Sequence, residues 1–265
     1  MEEREQIYVL GCGETINDLS EAEVSFINTS RCRLALNKFS GFPHATDLVP
    51  THVYYYDLFS EASANFLGYI FKQARKHRLP STRYILNRDI VERIAPSWAV
   101  YLSKRYAIWR SGTSWKTLYR VPNNARFDFI RTDGRYNEDG PWARSIEAPL
   151  YHYRGSLTSA LNYLSLNFPK TDIYLVGNDF SGKKYFFQDQ LEKVRFETSD
   201  WTTPIVQSEG RHFSTIQHEG TSIYDCLPKV VRCLAESENR VFCCNPESLL
   251  VKEGGLPYRS ILPSR

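Results

Sequence analysis

The sequence predicts an α/β fold: a mainly parallel, Rossmann-like sheet with helices on both faces and a lid-like insertion over the carboxyl ends of the strands. Two observations predict it. Short β-rich runs alternate with helix-like stretches, the pattern left by a parallel sheet wrapped by crossover helices. The residues directly after those runs are small and polar, as they are where an open α/β sheet binds a ligand beyond its strand tips.

Residues 7–10, 33–37, 52–56, 83–86, 172–176 and 240–244 read as strands. Between them lie four helix candidates. Residues 20–28 open on Ser20 with Glu23 three positions on, 60–77 is long, and 156–168 and 222–237 carry apolar residues at three- and four-residue spacing. Gly11-Cys12-Gly13-Glu14-Thr15 follows the first strand, Asn37-Lys38 the second, Asp57 the third and Gly177-Asn178-Asp179-Phe180 the fifth. Segments 110–149 and 181–220 look irregular by contrast and read as loops or a partly ordered lid over the strand ends. With no internal repeat, residues 1–265 read as one domain, with 181–220 as its lid segment.

At 265 residues and 42% hydrophobic content the chain can bury a core of its own. Its 33 basic and 30 acidic side chains leave a net charge of +3, which is no footprint of a nucleic-acid partner. No apolar run approaches the roughly 20 residues that span a bilayer, and the charged start runs straight into a strand, so a cytoplasmic protein is expected. Contact with the inner face of the membrane would be peripheral, and the basic tail is too short to argue for it. The six cysteines form no Cys-x-x-Cys pair, so buried thiols are expected rather than a zinc site or a disulfide framework.

The Gly11-Cys12-Gly13 turn can bring backbone N–H groups close to a phosphate, because glycine turns tightly without a side-chain clash. A dinucleotide fingerprint would need glycine where Ile16 stands and an acid where Asn37 stands, so NAD is disfavoured. A Walker loop is absent, and no Asp-x-Asp offers itself to a divalent cation. A metal-free, cofactor-free site is the simpler expectation. The charge of a leaving group must then be met by Arg, Lys, Tyr hydroxyls and backbone N–H groups.

Three blocks together resemble one family, the bacterial sialyltransferases of glycosyltransferase family 42. The first is the run from Ile7 through Gly11-Cys12-Gly13-Glu14-Thr15-Ile16, followed by Leu34-Ala35-Leu36-Asn37-Lys38-Phe39. It is similar to the family's strand, glycine turn and second strand ending in Asn. The second runs from Arg154 through Thr158-Ser159 to Ile173-Tyr174-Leu175-Val176-Gly177-Asn178-Asp179-Phe180. The third holds His218, Ile223 and Leu227 and closes on Cys243-Cys244-Asn245-Pro246-Glu247-Ser248-Leu249-Leu250. The resemblance implies a nucleotide-type fold of the GT-A-variant kind with a lid, a CMP-activated sugar donor, no metal and often a tetramer. It also implies a surface-glycan acceptor, an oligosaccharide or lipid-linked glycan of the kind built in lipopolysaccharide biosynthesis.

Residue roles follow from the same resemblance. His218 occupies the place of the family's general base, with His212 as its competitor, and an imidazole suits that task near neutral pH. Arg154 matches an arginine near the phosphate, where a permanently charged fork offsets the leaving cytidylate. Tyr185 matches one of two tyrosines that hydrogen-bond that phosphate. The other place is Ser181, and Tyr151 or Tyr153 could fill the gap. Asn37, Asp57, Thr158 and Ser159 fall where the family contacts nucleoside or donor, and Cys12 replaces an Asn in the glycine turn. Gly177, Asn178 and Asn245 border the same nucleotide site. Asp179 is expected to order its loop by accepting from backbone N–H groups rather than to do chemistry. The departures at Cys12 and Asp57 leave the sugar open among sialic acid and related ulosonates. Other readings are a nucleotide-dependent pterin diphosphokinase, a flagellin glycosyltransferase-like protein of domain of unknown function 115, and a non-catalytic nucleotide-binding module.

Overall fold

The computed structural model describes residues 4–56, 61–79, 82–88, 121–133, 139–181, 184–193, 211–217 and 219–263. Seven strands form one sheet: β1 (Gln6–Leu10), β2 (Arg33–Leu36), β3 (His52–Tyr55), β4 (Arg83–Asn87), β5 (Arg126–Ile130), β6 (Asp172–Val176) and β7 (Arg240–Cys243). Every pairing is parallel, in the order β5-β4-β3-β2-β1-β6-β7. The chain winds outward from β1 to one edge, then returns to β1's other side as β6. The order therefore reverses at β1/β6, the topological switch point where open α/β sheets place their ligands.

The period-2 alternation of side chains sorts two cores. Ile7, Val9, Leu34, Ile173 and Leu175 face one way, and Tyr8, Leu10, Ala35, Tyr174 and Val176 face the other. Helices α3 (Ser156–Asn167) and α5 (Ile223–Glu236) cover the first face through Leu157, Leu161, Leu164, Leu227, Val230 and Leu234. On the second face, α2 (Glu61–Lys76) packs Phe66, Leu67, Ile70 and Phe71, joined by Ile27 from α1 (Glu21–Thr29) and Leu191 from α4 (Gln188–Lys193). The cap expected on α1 is present, and α5 has one that was not expected. Ser20 and Glu23 form a capping box on α1, and Ser222 and Asp225 form another on α5. A short α6 (Leu249–Lys252) follows β7.

The six expected strands and four expected helices all form, within a residue or two of the expected bounds. Segment 110–149 corrects the sequence reading, because β5 lies inside it and pairs with β4. Asp128 at the centre of β5 is a poor strand residue. It is held by the Arg83 guanidinium across the pair at 2.9 Å and by the Tyr163 hydroxyl at 2.5 Å. Trp142 and Ala143 of the same segment are buried in the first core rather than draped over the strand tips. In segment 181–220, Phe186, Phe187 and Leu191 are buried in the second core, while 182–183, 194–210 and 218 lie outside the described residues. No described helix is long and apolar enough to cross a membrane.

Candidate functional site

Three loops far apart in sequence meet beyond the tips of β1, β6 and β7, and the Asp179 carboxylate ties them. It accepts the Thr15 N–H at 3.1 Å, the Thr15 hydroxyl at 2.5 Å and the Asn245 amide at 2.9 Å. Its own carbonyl accepts the Leu249 N–H at 3.1 Å. Asn178 is locked beside it: Nδ2 donates to the Val9 and Val176 carbonyls at 3.1 Å each, and its carbonyl accepts the Ser248 hydroxyl at 2.7 Å. Asp179 thus orders the loops by accepting from a backbone N–H, as expected, and also from two side chains. The Asn245 side chain is used within the same tie, its Oδ1 accepting the Glu247 N–H at 2.8 Å.

The glycine turn serves that tie. Gly11 N–H donates to the Val176 carbonyl at 2.8 Å and Gly13 N–H to the Gly177 carbonyl at 2.7 Å, so these two amides face the neighbouring loop rather than a ligand. A Cβ on Gly13 would overlap the Asp179 carboxylate. Gly177, at φ +66°, would bring a Cβ to 2.6 Å from the Ile16 side chain. The glycines therefore let two loops interlock, a job distinct from the phosphate cradle their spacing suggested.

Beside this knot, at the switch point where an open α/β sheet leaves a crevice beyond its strand tips, lies the turn after β2. Asn37, at φ 44°, starts a 3₁₀ turn, Asn37–Gly41, that carries Lys38. Lys38 Nζ lies 5.3 Å from the centroid of the Tyr185 ring, and Tyr185 bridges to Gly13. The Cys12 thiol contacts the Leu36 carbonyl at 3.6 Å. Burial pushes that thiol up to about 12, against the smaller pull of the Lys38 charge. Burial likewise raises the Tyr185 phenol, which stays a neutral donor. Ser181 follows Phe180 at the crevice and is half-buried.

His212 closes the crevice. Its N–H donates to the Phe180 carbonyl at 2.9 Å, and its ring stands edge-on to Phe180 with centroids 5.0 Å apart. Burial, and after it the Lys38 charge, lowers the imidazole to about 4, so it is neutral at pH 7. Nδ1 accepts the Ser214 N–H at 3.3 Å, which puts the single ring proton on Nε2. Nε2–H is a donor. His212 is arranged to give a hydrogen bond rather than to take a proton. His218 and Asp57 lie outside the described residues.

Arg154 meets the segment that carries His212 at Ile216. Its backbone is left-handed at φ 54°, the side chain is buried, and the guanidinium donates to the Ile216 carbonyl at 2.6 Å. Thr158 holds that turn: its hydroxyl accepts the Tyr153 N–H at 2.9 Å and donates to backbone carbonyls within it. Tyr151 and Tyr153, the candidates for the place left by Ser181, are not at the surface. Both are buried in the first core, where Tyr151 packs 5.9 Å from the Trp142 ring with Lys229 over it.

A second polar network lies behind the crevice. Asn37 Nδ2 donates to the Ser156 hydroxyl at 2.8 Å, and its Oδ1 accepts the Tyr56 N–H at 3.1 Å. Ser159, fully buried, pairs its hydroxyl with His152 Nδ1 at 3.1 Å and with the Ser156 carbonyl at 3.2 Å. The His152 ring lies 4.3 Å from that of Tyr56, and burial lowers it to about 4. Asn37 and Ser159 therefore shape the wall of the crevice. Lys38 was given no role in the sequence reading, and His152 was passed over. Lys38 carried a signal, since it directly follows a strand, whereas His152 sits between two core tyrosines with nothing to mark it. Among the described residues no group of three or more His, Cys, Asp or Glu is arranged to hold a metal ion.

No protein-family model and no curated protein matches the chain. Among solved structures it is similar to the sialyltransferase CstII from Campylobacter jejuni in complex with a substrate analogue, CMP-3FNeuAc. The TM-score is 0.48 and the identity 14%, over 99% of this chain and 89% of that one. A Tyr-to-Phe variant of sialyltransferase Cst-II with CMP gives a TM-score of 0.44 and 14% identity over the same shares. The MAf glycosyltransferase from Magnetospirillum magneticum AMB-1 gives 0.45 and 10%, over 92% of this chain and 32% of that one.

Proposed function

We propose that the chain is a glycosyltransferase that moves an acidic 2-keto sugar from a CMP-activated donor to a hydroxyl of a glycan acceptor, with His218 as general base and no metal ion. The observation that supports it most is the Asp179 tie. Thr15, Asp179 and Asn245 come one from each of the three blocks, and they meet at the switch point where such sheets bind nucleotides. Around the tie, Lys38, Arg154, Tyr185 and His212 offer positive charge and N–H or O–H donors, the set a departing phosphate needs in place of a metal.

In the proposed step the bond between the anomeric carbon and the phosphate oxygen breaks, and its electron pair leaves with the cytidylate. The acceptor oxygen forms the new bond to that carbon, and its proton passes to the His218 imidazole. His212 is the poorer base, because its Nδ1 is already an acceptor and its proton sits on Nε2. The donor is a substrate, and no further cofactor takes part.

Thermal-shift titration with CMP, CTP, ATP and NAD, each with and without Mg²⁺, tests the reading. Stabilisation by CMP alone is expected. Stabilisation only by a triphosphate with Mg²⁺ would favour a diphosphokinase and overturn it, as would indifference to cytidylate. His218→Ala is expected to lower turnover by about 10²-fold or more with CMP affinity near normal. An unchanged rate would remove His218 from the mechanism.

A further inference from the structure

We infer that His152 is a ligand-binding residue of the site, its ring Nε2 accepting a hydrogen bond from a sugar hydroxyl of the bound nucleotide donor. The inference rests on the proposed donor class and adds to it a residue that reads hydroxyl groups.

The His152 ring lies 4.3 Å from that of Tyr56, the residue that follows β3, so it stands at the carboxyl tips of the strands. Its tautomer follows from its neighbour. The Ser159 hydroxyl contacts the Ser156 carbonyl at 3.2 Å, and a carbonyl can only accept, so the one hydroxyl proton goes there. The 3.1 Å contact between Ser159 Oγ and His152 Nδ1 is then donated by Nδ1–H. Burial lowers the imidazole to about 4, so at pH 7 the ring carries that single proton and Nε2 keeps its lone pair. Nε2 has no hydrogen-bond partner among the described residues, and it is not closed off from solvent. His212 is arranged the opposite way, with its proton on Nε2.

The position calls for an acceptor. In dinucleotide-binding sheets of this class, an acidic side chain near the end of the second strand accepts from a ribose hydroxyl. Asn37 stands there, and both ends of its amide are engaged, Nδ2 with the Ser156 hydroxyl and Oδ1 with the Tyr56 N–H. The same two residues flank His152, Tyr56 by its ring and Ser156 through Ser159. A neutral acceptor nitrogen thus stands beside the engaged amide. The lone pair also selects the ligand group: a hydroxyl can donate to it, whereas a phosphate or carboxylate oxygen has no proton to give. His152 therefore reads sugar rather than phosphate.

The test is calorimetry on the full chain, for wild type and His152→Phe, with CMP, 2′-deoxy-CMP, 3′-deoxy-CMP and CMP-sialic acid. If the hydroxyl belongs to the ribose, the wild type should bind CMP about tenfold more tightly than one of the deoxy forms, and His152→Phe should lose that preference by weakening CMP and not that form. If it belongs to the transferred sugar, His152→Phe should bind CMP as the wild type does and lose about tenfold in affinity for CMP-sialic acid. Either pattern supports the inference. Equal weakening of all four ligands would mean that His152 only supports the fold, and four unaltered affinities would mean that Nε2 touches no ligand; both overturn it. If His152→Phe fails to fold, the same comparison in His152→Asn decides the matter, because its shorter amide can still donate to Ser159 but stops short of the place of Nε2. Wild-type protein that binds none of the four sinks the donor class itself, which separates that failure from this one.

Discussion

Removing the Asp179 carboxylate should untie the site before it alters any chemistry. Three donors converge on this buried group: the Thr15 N–H, the Thr15 hydroxyl and the Asn245 amide, at 3.1, 2.5 and 2.9 Å. Hydrogen bonds to a charged acceptor contribute roughly 1.5–3 kcal/mol each, but three that share one carboxylate are not additive. Asp179→Ala should therefore cost about 3 kcal/mol. At roughly 2–4 °C per kcal/mol for a domain of this size, the midpoint of thermal unfolding should drop by about 6–12 °C. Asp179→Asn is the sharper variant. Its Oδ1 can still accept from Asn245, but its amide turns N–H groups toward the Thr15 N–H, donor against donor, so it should lose most of the same stability. Thermal unfolding followed by CMP titration reads both effects, with affinity expected to fall alongside stability because all three loops border the crevice. Loss of turnover in Asp179→Asn with an unshifted midpoint and intact CMP binding would refute the reasoning and make Asp179 a participant in the chemistry.

Two further predictions concern titration. His152 and His212 are both lowered to about 4 by burial, against roughly 6.5 in the unfolded chain, so the unfolded state binds the extra protons between those values. Stability should be flat above about pH 6.5 and fall as the pH drops toward 4, and His152→Gln or His212→Gln should flatten the fall measured by denaturant unfolding; an unchanged slope in both would contradict their buried, neutral state. The Cys12 thiol, raised to about 12, should resist iodoacetamide at pH 8 in the native protein and react on unfolding. Rapid native labelling located at Cys12 by mass spectrometry would contradict its placement.

The order of elements was legible because local signals carried it: Ser20 with Glu23 marks the start of α1, apolar residues at three- and four-residue spacing mark α5, and β1 and β6 end in glycine turns. Strand β5 was not legible. Asp128 breaks its pattern, and the compensating Arg83 lies 45 residues away, a pairing visible only once β4 and β5 are adjacent. The site shows the same division. That the residues after the strands would converge followed from fold class alone, and so did the loop-ordering role of Asp179. The purpose of Gly11 and Gly13 did not follow. What demands glycine there is the Asn178 and Asp179 side chains pressing in from a loop more than 160 residues downstream, and a spacing of two glycines is the same whether a phosphate or a neighbouring loop comes close. Asn37, Thr158 and Ser159 were read as contacts to the donor, whereas the bonds seen in the fold join them to Ser156, His152 and backbone.

Backbone strain marks the same place independently. Seven non-glycine residues take positive φ among the described residues. Arg78, Lys170 and Glu238 follow helices α2, α3 and α5, where a left-handed residue closes a helix without further explanation. Glu219, in the turn before α5, closes no helix, and the remaining three are Asn37, Arg154 and Phe180. They lie at the tip of β2, before α3 and past β6, and each such turn costs on the order of 1 kcal/mol or more for a side chain larger than Asn. Each is held by a specific partner: Asn37 by Ser156 and the Tyr56 N–H, Arg154 by the Ile216 carbonyl, Phe180 by the His212 N–H at its carbonyl. A relaxed turn at any of the three would redirect Lys38, Arg154 or His212 away from the crevice. The strain is therefore located where the fold must aim cations and donors at one point, and the surrounding hydrogen bonds are what keep it there.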